Sequence, residues 1–338
     1  MIVAVYRGGG DFRLCLEGIT KLSPPADELI VVVDGEDDGS GDAAIEAEAR
    51  VIRLPGRFGP AKARNAGALE STGDVLLFID SDTVPAPFTV AQVRTAFEAT
   101  PGLAALVGSY DDAPGAGSFL SQYRNLLHHY IHQTAALHTL TFWGACGAVR
   151  RDVFFGVGGF DEAYEIPAME DMDLGYRMSR AGHCIQLHKD IQVKHLKRWD
   201  VANMLRTDIF QRAIPWSRLL LKEGRIENNL NLRLGSRLSA GLAWALLASL
   251  LVSPIWSDAL YAAALAGAAL TGLNAALYRF FKQKRGWRFA LLAMPWHWLY
   301  YLYGSAAFAY VLLADHRRNP PTPRLIDTAS IRPQRHGQ

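Results

Sequence analysis

Two aspartates one residue apart close an apolar run in Phe78-Ile79-Asp80-Ser81-Asp82-Thr83-Val84-Pro85. Carboxylates set just beyond a buried strand can present hard oxygen ligands to a divalent cation. Mg²⁺ or Mn²⁺ held by Asp80 and Asp82 would bridge to the oxygens of a diphosphate. A second metal candidate, His128 and His132, has the i, i+4 spacing of a ligand pair. No acidic partner or His-Glu-x-x-His context accompanies it, so it reads as one face of a helix expected over residues 115–140.

The elements that must hold the aspartate pair alternate in type. Short apolar runs at Ile2–Tyr6, Leu29–Asp34, Val51–Leu54, Val75–Asp80 and Leu103–Tyr110 read as buried strands. Between them Phe12, Cys15, Leu16 and Ile19 fall at helical spacing, and Ala61–Leu69 and Thr89–Phe97 are also helix-like. That alternation predicts an α/β domain with a mostly parallel sheet. Ligands of such sheets bind at the carboxyl ends of the strands, where Asp34 and Asp80 both fall.

The run Val75–Val84 also matches the first motif of haloacid-dehalogenase-type phosphatases, in which Asp80 would be the nucleophile and Asp82 the acid/base. That motif usually lies on the first strand, whereas here it follows the fourth, and no later lysine motif for a phosphate is readable.

The wider context points elsewhere. Leu29-Ile30-Val31-Val32-Val33-Asp34-Gly35-Glu36-Asp37-Asp38-Gly39-Ser40 and Gly59-Pro60-Ala61-Lys62-Ala63-Arg64-Asn65-Ala66-Gly67 precede the pair, and Gly73-Asp74 leads into its strand. Gly158-Gly159-Phe160-Asp161-Glu162 and Glu170-Asp171-Met172-Asp173-Leu174-Gly175-Tyr176-Arg177 follow it. In this order, over roughly residues 1–200, these segments resemble family 2 glycosyltransferases of the GT-A fold, a Rossmann-like architecture. The resemblance implies an inverting, metal-dependent enzyme that uses a nucleotide-diphosphate sugar.

Matched residue by residue, the resemblance implies donor binding by Val5, Tyr6, Asp34, Arg64, Asp80, Ser81 and Asp82. Asp34 would contact the nucleobase and Arg64 the base or phosphates. Asp80 and Asp82 would hold the metal and the ribose-diphosphate, with His195 completing the metal or diphosphate shell. Asp171 would be the general base that deprotonates the acceptor hydroxyl, with Glu170, Arg212 and Trp216 on the acceptor side. Each has a plainer alternative. Asp34 could cap a turn, Arg64 could be a surface charge, and His195 an ordinary strand-end histidine. Glu170 and Asp173 could be first-turn acids favoured by the helix dipole.

The chain departs from the family pattern in two places. The family often opens with a strand, Pro, an aromatic and Asn; here the segment is Val5-Tyr6-Arg7-Gly8-Gly9-Gly10. Its glycines lack the spacing of a dinucleotide or P-loop fingerprint. Processive synthases carry Gln-x-x-Arg-Trp, whereas Gln211-Arg212-Ala213-Ile214-Pro215-Trp216 has Arg and Trp out of register, which disfavours a processive polymerase.

Composition supplies the setting. In 338 residues, 35 Lys and Arg nearly cancel 33 Asp and Glu. A balance of this kind excludes a wholesale polyelectrolyte binder, so no nucleic-acid partner is expected. Three distant cysteines suit a reducing compartment rather than a disulfide framework. No signal peptide is readable before the first strand. The mean hydropathy of +0.04 is high for a soluble chain because the excess is local: 55 of the 79 residues from Ser236 to Ala314 are apolar or aromatic.

Three segments, 238–256, 259–278 and 289–314, are long enough to span a ~30 Å hydrocarbon core. The connector Ser253–Asp258 has no Lys or Arg, whereas Arg279–Arg288 holds five. The positive-inside rule therefore places the connector outside and the basic loop in the cytosol. The third segment is read as a span, although that would export the basic tail His316–Arg318. Its Pro295 and clustered Trp and Tyr also suit an interfacial or re-entrant helix.

The expectations are a cytosolic catalytic domain over 1–224, a membrane region over 225–318 and a polar tail over 319–338. A multi-pass protein of the cell membrane with a lipid-linked acceptor follows from the helices. A non-catalytic membrane scaffold with the same fold is the further alternative.

Overall fold

Ile30-Val31-Val32-Val33 is buried at every position in the computed structural model, as expected of a strand covered on both faces. The structure describes residues 1–224, 230–315 and 323–326. The basic tail His316–Arg318 and most of the expected polar tail lie outside the described residues. Eight strands form one sheet: β1 Ile2–Val5, β2 Ile30–Val33, β3 Arg50–Arg53, β4 Val75–Asp80, β5 Thr83–Pro85, β6 Leu103–Tyr110, β7 Cys146–Arg150 and β8 Cys184–His195. Their order is β3-β2-β1-β4-β7-β6-β8-β5.

The five apolar runs are all strands, within one residue of their expected ends. β3, β2, β1 and β4 are parallel, as is the β6–β8 pair. β7 runs antiparallel to both β4 and β6, and β5 antiparallel to β8. The sheet is therefore parallel in its first half and mixed in its second. β5, β7 and β8 lie outside those five runs: β5 and β7 are three and five residues with few large apolar side chains, and β8 is interrupted by Gln186, His188, Lys189 and Asp190.

The helices are α1 Gly9–Thr20, α2 Ser40–Glu46, α3 Pro60–Glu70, α4 Thr89–Ala99, α5 Phe119–Thr134, α6 Arg151–Gly156, α7 Glu170–Arg180, α8 Val201–Arg206, α9 Ile214–Glu223, α10 Leu234–Val252, α11 Ala259–Leu273 and α12 Ala275–Tyr310. A π-helical segment, Thr207–Ala213, joins α8 to α9. α12 is broken at Gly286, whose φ of 85° lies in the left-handed region that only glycine adopts at little cost.

Chain contacts divide the protein into two units: residues 1–116, 136–198 and 320–338, and residues 117–135 and 199–319. The division is not a single cut near residue 224. α5, and the chain from Trp199 on, group with the helical part because their apolar faces pack on α12. Leu120, Tyr123, Leu126, Leu127, Trp199 and Met204 share one core with Leu277, Phe281 and Ala293.

In the first unit, Val3, Val5, Val31, Val33 and Ile79 pack against Phe12, Cys15 and Leu16 of α1. Each large apolar side chain so buried contributes roughly 1.5–3 kcal/mol. Phe78 of β4 lies edge-on to Phe142 and Phe160, at centroid distances of 6.3 and 5.2 Å. The described part of the tail, 323–326, also belongs here. Ile326 N donates to Gly158 O, and Glu162 N to Arg324 O, both at 2.9 Å, while Arg324 N donates to Asp161 Oδ1 at 2.7 Å.

In the second unit, α10 is long and apolar enough to cross a membrane. α11 and α12, bent by 67° at their junction, meet the same test only as a pair.

Candidate active site

Strand register places the first candidates on one edge. Ala4 of β1 lies beside Asp80 of β4, and Val5 beside Val33 of β2. Tyr6, Asp34 and Ser81 therefore emerge together where the parallel strands end. Tyr6 is partly exposed, with the Arg57 guanidinium 4.3 Å from its ring centroid.

Asp34 is buried, and both of its oxygens accept backbone amides: Phe58 N to Oδ1 at 2.7 Å and Gly59 N to Oδ2 at 2.8 Å. It thereby fixes the turn into α3. Gly59 is required in that turn. Its φ is +93°, and a Cβ would lie 2.3 Å from Glu165 O.

α3 then delivers Arg64, which is buried rather than a surface charge. Its Nη2 donates to Asp80 Oδ1 at 2.7 Å and its Nη1 to Glu170 Oε1 at 2.8 Å. The second Glu170 oxygen accepts Ala168 N at 2.9 Å. Glu170 is thus a buried partner of Arg64, with both oxygens engaged. Asp173, the other first-turn acid, is buried against Arg177 at 2.7 Å.

Asp171 points to a different partner. Its Oδ2 accepts Gly144 N at 3.1 Å and its Oδ1 accepts Met172 N at 2.7 Å. Desolvation, reinforced by the neighbouring Glu170 charge, raises its pKa to about 7. A carboxyl poised there can take up a proton at neutral pH. Burial also raises Asp80, with Arg64 opposing.

Asp82 lies beside His195, with Oδ2 3.7 Å from Nε2. Burial pushes Asp82 upward, but the His195 interaction and the Lys197 charge outweigh it and leave the carboxyl below its ordinary value. β5–β8 pairing sets this contact, since Thr83 lies opposite His195. His195 is buried and stacks on Tyr110, with ring centroids 4.3 Å apart and planes 15° apart; Trp143 packs nearly perpendicular to Tyr110, with centroids 4.7 Å apart.

Asp80 and Asp82 keep about a third of their side-chain surface open. Two such carboxylates are the hard, anionic oxygen donors that Mg²⁺ or Mn²⁺ prefers. Among the described residues no three His, Cys, Asp or Glu side chains are already gathered for a metal.

Arg212 and Trp216 belong to the helical unit. Arg212 lies 3.5 Å from Asp208 and over the Trp199 ring. Trp216 is half-buried with its indole N–H unbonded. His128 and His132 are ring neighbours at 4.2 Å, and among the described residues no third ligand is gathered with them.

Sequence reasoning missed Tyr110, Gly144 and the role of Asn65. Asn65 clamps the Gly-Gly-Phe-Asp-Glu loop: its Nδ2 donates to Phe160 O and its Oδ1 accepts Phe160 N, both at 2.9 Å. Asn65 and Phe160 lie in two separate motif segments, and nothing in either sequence reveals that they bond each other.

Comparison with known proteins agrees with this geometry. Residues 1–156 match the model of glycosyl transferase family 2. A probable glycosyltransferase of Bacillus subtilis, YdaM, is 27% identical over 190 residues, 52% of this chain and 44% of its own length. The chain thus spans less than half of that relative. Among solved structures, the mannosyltransferase PcManGT of Pyrobaculum calidifontis, in complex with GDP-Man and Mn²⁺, is similar with a TM-score of 0.58 at 18% identity, covering 91% of this chain and 86% of that one. S. aureus TarS 1–349, in complex with UDP-GlcNAc, gives 0.54 at 18% identity over 94% and 92%. The match of residues 1–156 to that model, on a fold shared with these GT-A structures, identifies a glycosyl transferase family 2 domain in this chain.

Proposed function

We propose that the chain is an inverting glycosyltransferase. It moves a sugar from a nucleotide-diphosphate sugar to an acceptor hydroxyl or phosphate, with a lipid-linked acceptor at a membrane surface. The observation that carries this reading is Asp171. Its carboxyl is oriented by the Gly144 amide and its pKa is raised to about 7, in the same unit as the partly open Asp80 and Asp82.

In the reaction with a hydroxyl, the acceptor oxygen forms a bond to the anomeric carbon as the bond from that carbon to the diphosphate breaks. The hydroxyl proton passes to Asp171, and the nucleoside diphosphate leaves with the bonding electrons. Val5, Tyr6 and Asp34 frame the base side of the donor, and Asp80, Ser81 and Asp82 the diphosphate side. Asp80, Asp82 and His195 would hold Mg²⁺ or Mn²⁺, which would neutralise charge on the leaving diphosphate. Arg64 holds Asp80 and Glu170 in place rather than reaching the donor itself, and Arg212 and Trp216 are assigned to the acceptor side.

The catalytic unit is placed in the cytosol at the cell membrane, anchored by the C-terminal helices. Support comes from the apolar α10 and from the five basic residues of Arg279–Arg288. The family match leaves the phosphatase reading without support, and the intact carboxylates argue against a scaffold. A thermal-shift screen of UDP-, GDP- and dTDP-sugars with Mn²⁺ tests the reading. Stabilisation by one nucleotide class, followed by metal-dependent release of its diphosphate with a lipid-phosphate or glycolipid acceptor, is expected. Hydrolysis of a phosphomonoester without any nucleotide-sugar binding would sink it.

A further inference from the structure

The third apolar segment raises a question of topology that the tail answers. The chain leaves the catalytic unit after Arg198 and is back on it at Pro323–Ile326, hydrogen-bonded to Gly158, Asp161 and Glu162. Both ends of the intervening stretch are fixed to the same body. A chain that leaves and rejoins one side of a bilayer crosses it an even number of times.

The contacts of α12 show which segment does not cross. Tyr303 lies in the middle of 289–314, and its hydroxyl donates to Asp208 Oδ2 at 2.7 Å. Asp208 is buried in an ion pair with Arg124 of α5 at 2.7 Å. α5 departs from the catalytic unit at Ala116 and rejoins it at Ala136. A spanning third segment would carry Tyr303, and with it this Arg–Asp pair, to the bilayer midplane, where charged groups are most costly.

Tyr301 gives the same answer from a second direction. Its hydroxyl donates to Asn274 Oδ1 at 2.8 Å, and Asn274 donates to Ser239 Oγ at 2.9 Å. Ser239 is in the second turn of α10 and Asn274 directly follows α11. Tyr301 is therefore at the base of the α10–α11 pair. Val311–Asp315 packs on α9, continuing the run of α12 along the helices that follow Arg198.

Charge and exposure along α10 and α11 match a bilayer around that pair. Arg233, Arg237, Arg279, Lys282, Lys284, Arg285 and Arg288 flank its base. The tip Ser253–Asp258 has one charge, Asp258, and Ile255 and Trp256 there are 92% and 62% exposed. Leu251, Tyr261 and Leu265 are exposed on the shafts. The 19 residues of α10 rise ~28 Å, close to the ~30 Å core.

We propose that α10 and α11 form a helical hairpin that crosses the bilayer with its tip on the far side. Phe289–Ala314 then lies along the near surface, and the C-terminal tail stays on the catalytic side. The alternative, a third crossing, would need the chain to return through the bilayer almost fully extended before Pro323. Seven residues lie between Asp315 and Pro323, and their eight steps reach at most ~29 Å when fully extended. A return across the hydrocarbon would leave its backbone unpaired and carry His316, Arg317 and Arg318 through it.

The proposal rests on the membrane reading above, and two measurements on the full chain separate their failures. Membranes of expressing cells are first washed with alkaline carbonate. Release of the protein overturns membrane insertion itself. With the protein retained, an impermeant maleimide is applied to intact and permeabilised cells carrying Ser257→Cys, Ile255→Cys or a cysteine appended after Gln338, with the unsubstituted chain as background. Both tip cysteines should label in intact cells, and the appended cysteine only after permeabilisation. Labelling of the appended cysteine in intact cells would mean an odd number of crossings and would overturn the proposal. Protection of both tip positions in intact cells would overturn it as well, since the hairpin would then not reach the far side.

Discussion

Arg64 donates to Asp80 at 2.7 Å while its other terminal nitrogen donates to Glu170 at 2.8 Å. One buried guanidinium thereby links the first aspartate of the metal-type pair to the residue beside Asp171. The positions of the two carboxylates assigned to chemistry are coupled through it. Replacing Arg64 with Ala would leave the buried Glu170 and the partly buried Asp80 without their partner, and breaking a buried pair typically costs about 3–5 kcal/mol. Urea unfolding should show that loss. A variant of wild-type stability would show that the pair is not anchored by Arg64.

Asp34 acts through the turn it holds. Asp34→Ala removes acceptors from the Phe58 and Gly59 amides, each charge-assisted bond being worth about 1.5–3 kcal/mol. Both the melting temperature and the affinity for a nucleotide sugar should fall. Loss of affinity with an unchanged melting temperature would instead assign Asp34 to the nucleobase alone.

Asp171→Asn keeps the shape of the side chain and removes its basicity. Transfer to a hydroxyl acceptor should fall by about 10²–10⁴-fold, while calorimetry shows donor binding nearly unchanged. Weakened donor binding in this variant would mean that Asp171 is not the base.

The pH profile follows from the same residue. Asp171 must be ionised to accept a proton, and its pKa is raised to about 7 by burial. The rate should therefore climb as pH rises through about 7 and level off above it. A rate already maximal at pH 5 would contradict the assignment.

Asp82→Ala should weaken the dependence of donor binding on Mn²⁺, because it removes one of the anionic oxygens facing His195. Chelation should destabilise the donor complex of the unsubstituted protein but scarcely affect that of the variant. Identical Mn²⁺ titrations of the two proteins would remove Asp82 from the ligand set.

Much of this was legible in the order of residues. The valine-rich runs are strands because a continuous apolar segment of that length has few other ways to be buried, and Asp34 and Asp80 mark their ends. The 70-odd residues of apolar sequence after Ser236 likewise read as long apolar helices, and the structure has helices there. The partners of those residues were not legible. Arg64 reads from sequence as a surface or donor-facing charge. Only the tertiary structure, in which α3 packs on β1 and β2, shows both ends of its guanidinium occupied, by Asp80 of β4 and Glu170 of α7.

The same division holds across the chain. Local sequence determined which segments are strands, which are helices and which residues could do acid–base or metal chemistry, because those properties depend on neighbours within a few positions. Tertiary structure alone decided that Tyr110 stacks on His195, that Gly144 orients Asp171, and that Pro323–Ile326 returns to the catalytic unit. Those contacts join residues 27 to more than 150 positions apart, and no periodicity or motif encodes a meeting over such distances. It arises only when the sheet and helices close on one core.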